Sequence, residues 1–180
     1  MTGFLFFFSA LGAFNGLLLV IYLFFFTKEK TLSKYLLGGL ILALSIRIGK
    51  SVLLYFDRDL PKVYLQIGLS ACFFIGPFLF FYLKSVVERK EKLPKSWTFT
   101  LLGLLGLVTA VGLVRPYENY PDFWNYIFAF LIYYQWAFFM IGSLYVMRKS
   151  IIKLGQRNKN ISANEKWLLS ILTANWIIFA

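Results

Sequence analysis

Long apolar runs separated by short polar loops constrain this chain more than any motif does. They span roughly residues 3–26, 32–56, 63–83, 97–114 and 125–147, and a sixth covers 167–180. Several exceed 18 residues, the length at which an apolar stretch reads as a transmembrane helix. Composition agrees, with 59% of residues apolar, 21% aromatic and 15% charged, where a soluble domain carries about 25% charged residues. The predicted fold is therefore all-α: a polytopic transmembrane helix bundle of five full spans plus a truncated sixth, forming one domain over residues 1–180. The last run offers about 14 residues, or ~21 Å at 1.5 Å per residue against a hydrocarbon core of ~30 Å. The chain is thus expected to end inside a helix.

The basic residues predict an orientation. The loops after runs one, three and five hold three, five and six Lys and Arg, whereas those after runs two and four hold two and one. By the positive-inside rule the richer loops lie in the cytoplasm and the N-terminus lies outside. Asp57, Asp59, Glu118 and Asp122 then all face outward. The net charge of +11 is accounted for by topology and by attraction to anionic lipid. No nucleic-acid-binding motif lies in these loops, so no nucleic-acid contact is expected within this chain. The first run has no basic residue before it and no cleavage pattern after it, and reads as a retained helix rather than a signal peptide. Tyr and Trp in the segment from Arg115 to Trp124 suit a headgroup belt.

No catalytic set is visible. The chain has no His, which removes His-based metal ligation and His general-base catalysis. Paired intramembrane carboxylates and a Walker-type glycine loop are missing as well. A proton-coupled carrier would need an intramembrane Asp, Glu or His, and the two halves show no convincing repeat. The chain is expected to be no enzyme, with no cofactor and no metal site. The lone Cys72 reads as a small apolar core residue.

The chemistry concentrates in the second run, at Ser45-Ile46-Arg47-Ile48-Gly49-Lys50-Ser51. A cation at this depth costs at least roughly 2.5–3.5 kcal/mol on insertion scales, so such residues usually face the bundle interior or a water-filled cavity. Gly39, Ala43, Arg47 and Lys50 follow at spacings of four, four and three, which puts them on one helical stripe. Small residues on that stripe admit a neighbouring helix and turn the cations inward. The first five runs contain no acidic residue. The candidate partners are backbone carbonyls such as that of Phe73, the rings of Tyr133, Tyr134 and Trp136, an acidic side chain from an outer loop, or an external anion. Lys50 also has the option of snorkelling to the interface.

Arg47 and Lys50 are thus the candidate ligand-binding residues, for an anionic or carbonyl-bearing small molecule from the extracytoplasmic side. Asn15, Gln66 and Gln135 are weaker candidate neighbours. Gly12 and Gly16 form a GxxxG beside Asn15, a spacing that permits close helix contact, and Asn15 is as well suited to a helix–helix hydrogen bond. Pro77 lacks an N–H, so the third helix should kink there and free the carbonyl of Phe73. Gly76 and Pro77 are the candidate hinge.

Leu11 to Leu19, Leu44 to Ser51 and Ile75 to Ser85 together resemble the membrane-embedded N-terminal half of bacterial transcriptional regulators that end in an AraC-type helix-turn-helix domain. The resemblance implies about seven helices ahead of a cytoplasmic DNA-binding domain, which is absent from these 180 residues. It also implies the bacterial cytoplasmic (inner) membrane and the sensor or anchor role of a one-component regulator. The lipid bilayer is then one partner, and self-association into a homodimer is compatible with the reading. The alternatives are a small membrane protein without a DNA-binding role, such as a permease fragment or assembly subunit, and the input domain of a sensor kinase.

Overall fold

The computed structural model describes residues 2–28, 31–57, 60–155 and 162–179. Glu29, Lys30, Arg58, Asp59, Arg157, Lys159 and Ala180, which enter the charge count and the span boundaries, lie outside the described residues. Among those described there are six α-helices and no strand. They are α1 (Thr2–Ile21), α2 (Leu32–Phe56), α3 (Val63–Val87), α4 (Lys95–Val114), α5 (Ala129–Gly155) and α6 (Ala163–Phe179). Wider π-helical turns extend α1 through Tyr22–Phe26 and lead into α5 through Phe123–Phe128. Among the described residues five helical stretches are long and apolar enough to cross a membrane, and the chain is a multi-pass membrane protein.

Side-chain register fixes the path of the chain. Phe6 stacks on Tyr55 and the ring of Phe24 lies over Gly38, so α1 and α2 are antiparallel. Phe78 lies over Gly39, while the Lys50 stem crosses Gly68, so α2 and α3 are antiparallel as well. Phe81 stacks on Trp97 and Gln66 reaches Gly112, which turns α4 back along α3. Phe73, Gly76 and Phe80 of α3 meet Phe128, Trp136 and Gly142 in ascending order, so α3 and α5 run parallel. The basic segments beginning at Lys28, Lys84 and Arg148 therefore share one end of the bundle.

The core sits between α3 and α5. Ile75, Leu79 and Leu83 recur every fourth residue and are fully buried; Ile132, Trp136, Met140 and Met147 form the matching stripe on α5. Both patterns are the 3.6-residue repeat of a helix with one buried face. Glycines set the closest approaches. A Cβ on Gly76 would stand 3.2 Å from Trp136 Cα, whereas one on Gly12 would meet nothing within 4 Å. Of the GxxxG pair, it is Gly16 that packs, beside Ser45. α1 and α4 lie at the periphery, with Phe4, Phe7, Phe99 and Leu113 turned outward. Lipid tails are as apolar as these side chains, so outward-facing apolar residues cost nothing in a bilayer.

Several helices outrun their apolar stretches. α3 continues past Leu83 to Val87, α4 begins at Lys95, and α5 runs on to Gly155. Hydropathy reports the depth of hydrocarbon, but backbone hydrogen bonding persists until a cap stops it. α3 is stopped by a Schellman motif, in which Lys90 N donates to Ser85 O at 2.9 Å and Arg89 N donates to Val86 O at 3.3 Å. α6 opens with a capping box: Glu165 N donates to Ser162 Oγ at 3.2 Å, and Ser162 N donates to Glu165 Oε2 at 3.0 Å. The other carboxylate oxygen of Glu165 accepts from Ser150 Oγ at 3.2 Å, which ties α6 to α5.

The Schellman motif requires a left-handed residue, and Arg89 supplies it with φ 51°. A side chain with a Cβ is strained there, by about 1–2 kcal/mol, and glycine is not. Arg89→Gly is expected to stabilise the folded protein by about 0.5–1 kcal/mol after the entropy that glycine adds to the unfolded chain. Thermal unfolding in detergent micelles checks this; a lower midpoint would contradict it.

Candidate functional site

Arg47 lies in the middle of α2, on the stripe that begins at Gly39 and Ala43. That stripe faces α3 and α5: Phe78 covers Gly39, Ala43 is buried, and the Arg47 guanidinium carbon stands 5.2 Å from the centre of the Trp136 ring. Such a cation–π contact returns about 0.5–2 kcal/mol, less than the cost of the charge at this depth. Arg47 Nη1 is buried with no hydrogen-bond partner. One turn on, the aliphatic stem of Lys50 occupies the notch left by Gly68 on α3, so the missing Cβ at Gly68 is what lets this side chain run between the helices.

The two cations border a cavity of about 230 Å³ between α2, α3 and α5. Leu69 and Cys72 come from α3, and Ala129, Ile132, Tyr133 and Trp136 from α5. The α5 spacing of three, four and seven from Ala129 is one face of a helix. Against about 30 Å³ per water molecule, the space suits a few waters or one small organic molecule rather than a drug-sized ligand, whose pockets start near 300 Å³. The walls combine two cations, a phenol and an indole ring with aliphatic side chains. This arrangement matches a compact carboxylate, phosphate or polarised carbonyl that carries a short apolar part. Among the described residues no group of three or more His, Cys, Asp and Glu is gathered for a metal.

The other sequence-named residues lie at separate places. Gln135 precedes Trp136 on α5 and buries both of its side-chain polar atoms without a hydrogen-bond partner, but it does not line the cavity. Asn15 is exposed on α1. Gln66 donates from Nε2 to Gly112 O at 3.2 Å and accepts from Tyr117 N at 2.9 Å. It fastens the end of α4 and the following loop to α3. Nearby, Trp124 Nε1 donates to Arg115 O at 2.6 Å, and Tyr117 Oη bonds Asn125 Oδ1 at 2.9 Å. Gly76 and Pro77 are buried within α3, which stays helical through Pro77. Tyr134 is exposed and does not line the cavity.

Two participants carry little signal in the sequence. Cys72 is a wall of the cavity, at a helical spacing of three from Leu69. Asn175 on α6, 2% exposed, accepts from Trp136 Nε1 at 3.1 Å. A single Asn in the apolar run from Trp167 to Phe179 was its one trace.

Because Gln66 satisfies two backbone groups that are otherwise unpaired, Gln66→Leu is expected to destabilise the fold by about 1–3 kcal/mol. Unfolding in detergent should show this loss while the reactivity of Cys72 toward thiol reagents in the native state stays unchanged. Altered Cys72 reactivity at full stability would instead join Gln66 to the cavity. No family model, no curated protein and no solved structure matches this chain.

Proposed function

We propose that this chain is the ligand-sensing membrane domain of a one-component transcriptional regulator, and that the Arg47–Lys50 cavity binds a small anionic or carbonyl-bearing molecule. The observation that carries the proposal is Arg47 Nη1, a buried donor on a charged group with no acceptor. A buried unpaired polar group costs about 1–3 kcal/mol, more when charged, and the ring of Trp136 offers it no lone pair. An anion in the cavity would supply both charge and acceptor, with Lys50 as a second cation on the same wall. The basic loops at one end favour a cytoplasmic location for that end, which makes the opposite face the side of ligand access. The bacterial inner membrane and the AraC-type output domain are supported by the sequence resemblance.

Signal transfer follows from what the cavity touches. Trp136 lies under Arg47, donates to Asn175 of α6, and has its backbone against Gly76 of α3. A ligand that displaces the guanidinium from the ring alters a side chain shared by three helices. Gly76-Pro77 is the hinge about which α3 repacks against α5. The ligand drives this only if it binds the two packings unequally, and complete switching from 1:99 to 99:1 requires about 5.5 kcal/mol of difference.

Cys72, the single cysteine, is a built-in reporter. An anionic methanethiosulfonate is expected to modify it about tenfold faster than a cationic one, and Arg47→Gln with Lys50→Gln should abolish the preference. Equal rates for the two reagents in the unmodified protein would reject an anion-binding cavity. The regulator assignment has its own test in the gene beyond the codon for Ala180. A seventh span followed by a basic region with two helix-turn-helix units supports it, and a His-bearing dimerisation helix would replace it with a sensor kinase.

A further inference from the structure

A second cavity, of about 640 Å³, opens between α3 and α5 at the basic end of the bundle. Its chemistry is sorted by depth. Toward the bilayer centre lie Phe80 and Phe138, and toward the end lie Lys84, Arg148 and Lys149. From Phe138 to Lys149 the groove follows α5 for ~16 Å at 1.5 Å per residue, about half of a ~30 Å hydrocarbon core. Gly142 lets the Phe80 ring pack close against α5 at the middle of the groove, since a Cβ there would stand 3.0 Å from that ring.

The cations are held at the rim by aromatic faces. Arg148 stands 4.3 Å from the centre of the Tyr145 ring, and Lys84 stands 5.6 Å from the rings of Phe80 and Trp97. One carboxylate shares the rim, Glu88, and it is occupied by Lys84 at 3.8 Å and Lys90 at 3.6 Å. Among the described residues Arg148 and Lys149 have no carboxylate partner. The rim is thus cationic in balance and lies at the basic end of the bundle, while the floor beyond it is lined by Phe80, Phe138 and Ile141.

We infer that this groove is a binding site for an anionic phospholipid, with the headgroup phosphate on Arg148 and Lys149 and an acyl chain along Phe80, Gly142 and Phe138. Charge complementarity selects the headgroup, and the apolar length selects a lipid over a free phosphate. The groove shares no lining residue with the Arg47 cavity, and the site does not depend on the sensor reading.

Native mass spectrometry of the protein released from mixed micelles tests this with phosphatidylglycerol and phosphatidylcholine of matched chains. At least a fivefold preference for phosphatidylglycerol is expected. Arg148→Gln with Lys149→Gln should bring the ratio close to one, whereas Lys28→Gln with Lys92→Gln, which removes the same charge elsewhere at that end, should leave it unchanged. Gly142→Leu should reduce retention of both lipids. Equal retention in the unmodified protein would overturn the site. So would an equal loss of preference in the Lys28 and Lys92 variant, since the effect would then be diffuse surface charge. Retention of inorganic phosphate in place of lipid would overturn it too.

Discussion

Inside hydrocarbon there is no water to complete a hydrogen bond, so each polar group carried there must be answered by another part of the protein. Several polar side chains among the described residues obey that rule. Gln66 takes up groups at the end of α4 and in the loop beyond it, Trp136 is answered by Asn175, and Trp167 donates to Tyr82 Oη at 3.2 Å. Serine hydroxyls turn back onto their own helices, as Ser9 does to Leu5 O and Ser143 to Phe139 O. Arg47 Nη1 and the amide of Gln135 depart from the rule. The packing does not require a cation at position 47, because an aliphatic residue would fill the same stripe at lower cost. Arg47 thus carries a cost of burial that the surrounding packing does not return.

α3 is the element through which this tension is distributed. It lies against α2, α4 and α5 and reaches α6 through Tyr82. Glycines admit its close approaches to α2 and α5: Gly39 under Phe78, Gly68 under the Lys50 stem, and Gly76 against the backbone of Trp136. Between helices in a bilayer the driving forces are close packing and hydrogen bonds rather than expulsion of water. These notches therefore fix where the cavity forms. A bulky residue at Gly76 would push α5 away from α3 and remove the wall on which the Arg47 guanidinium rests.

The fold was legible because its main signal, uninterrupted hydropathy, is local. Each apolar run became a helix, and the stripe of Gly39, Ala43, Arg47 and Lys50 could be read from spacing alone. Trp136 was one of several rings named for Arg47, but sequence offered no means of preferring it to Tyr134. That choice depends on the rotation of α5, which is set by contacts with α3. Helix ends were harder to place, since Arg89 in a left-handed conformation and the Ser162–Glu165 box extend helices beyond the apolar stretch. Cys72 and Asn175 were hidden for a related reason. Their importance lies in what faces them across helices far apart in the chain, and a one-dimensional pattern does not record that.

The cation–π pair has a consequence in time. Trp136 is made about 89 residues after Arg47, roughly 4–18 s later at 5–20 residues per second. During that interval the guanidinium must travel with the nascent α2 and α3, attended by water or by lipid phosphate, because its aromatic partner is still unmade. The arrival of α5 then supplies Ala129, Ile132, Tyr133 and Trp136, which complete the cavity wall. The Arg47 site is thus assembled late: its α2 and α3 walls are synthesised before the α5 face that carries the ring on which the guanidinium rests.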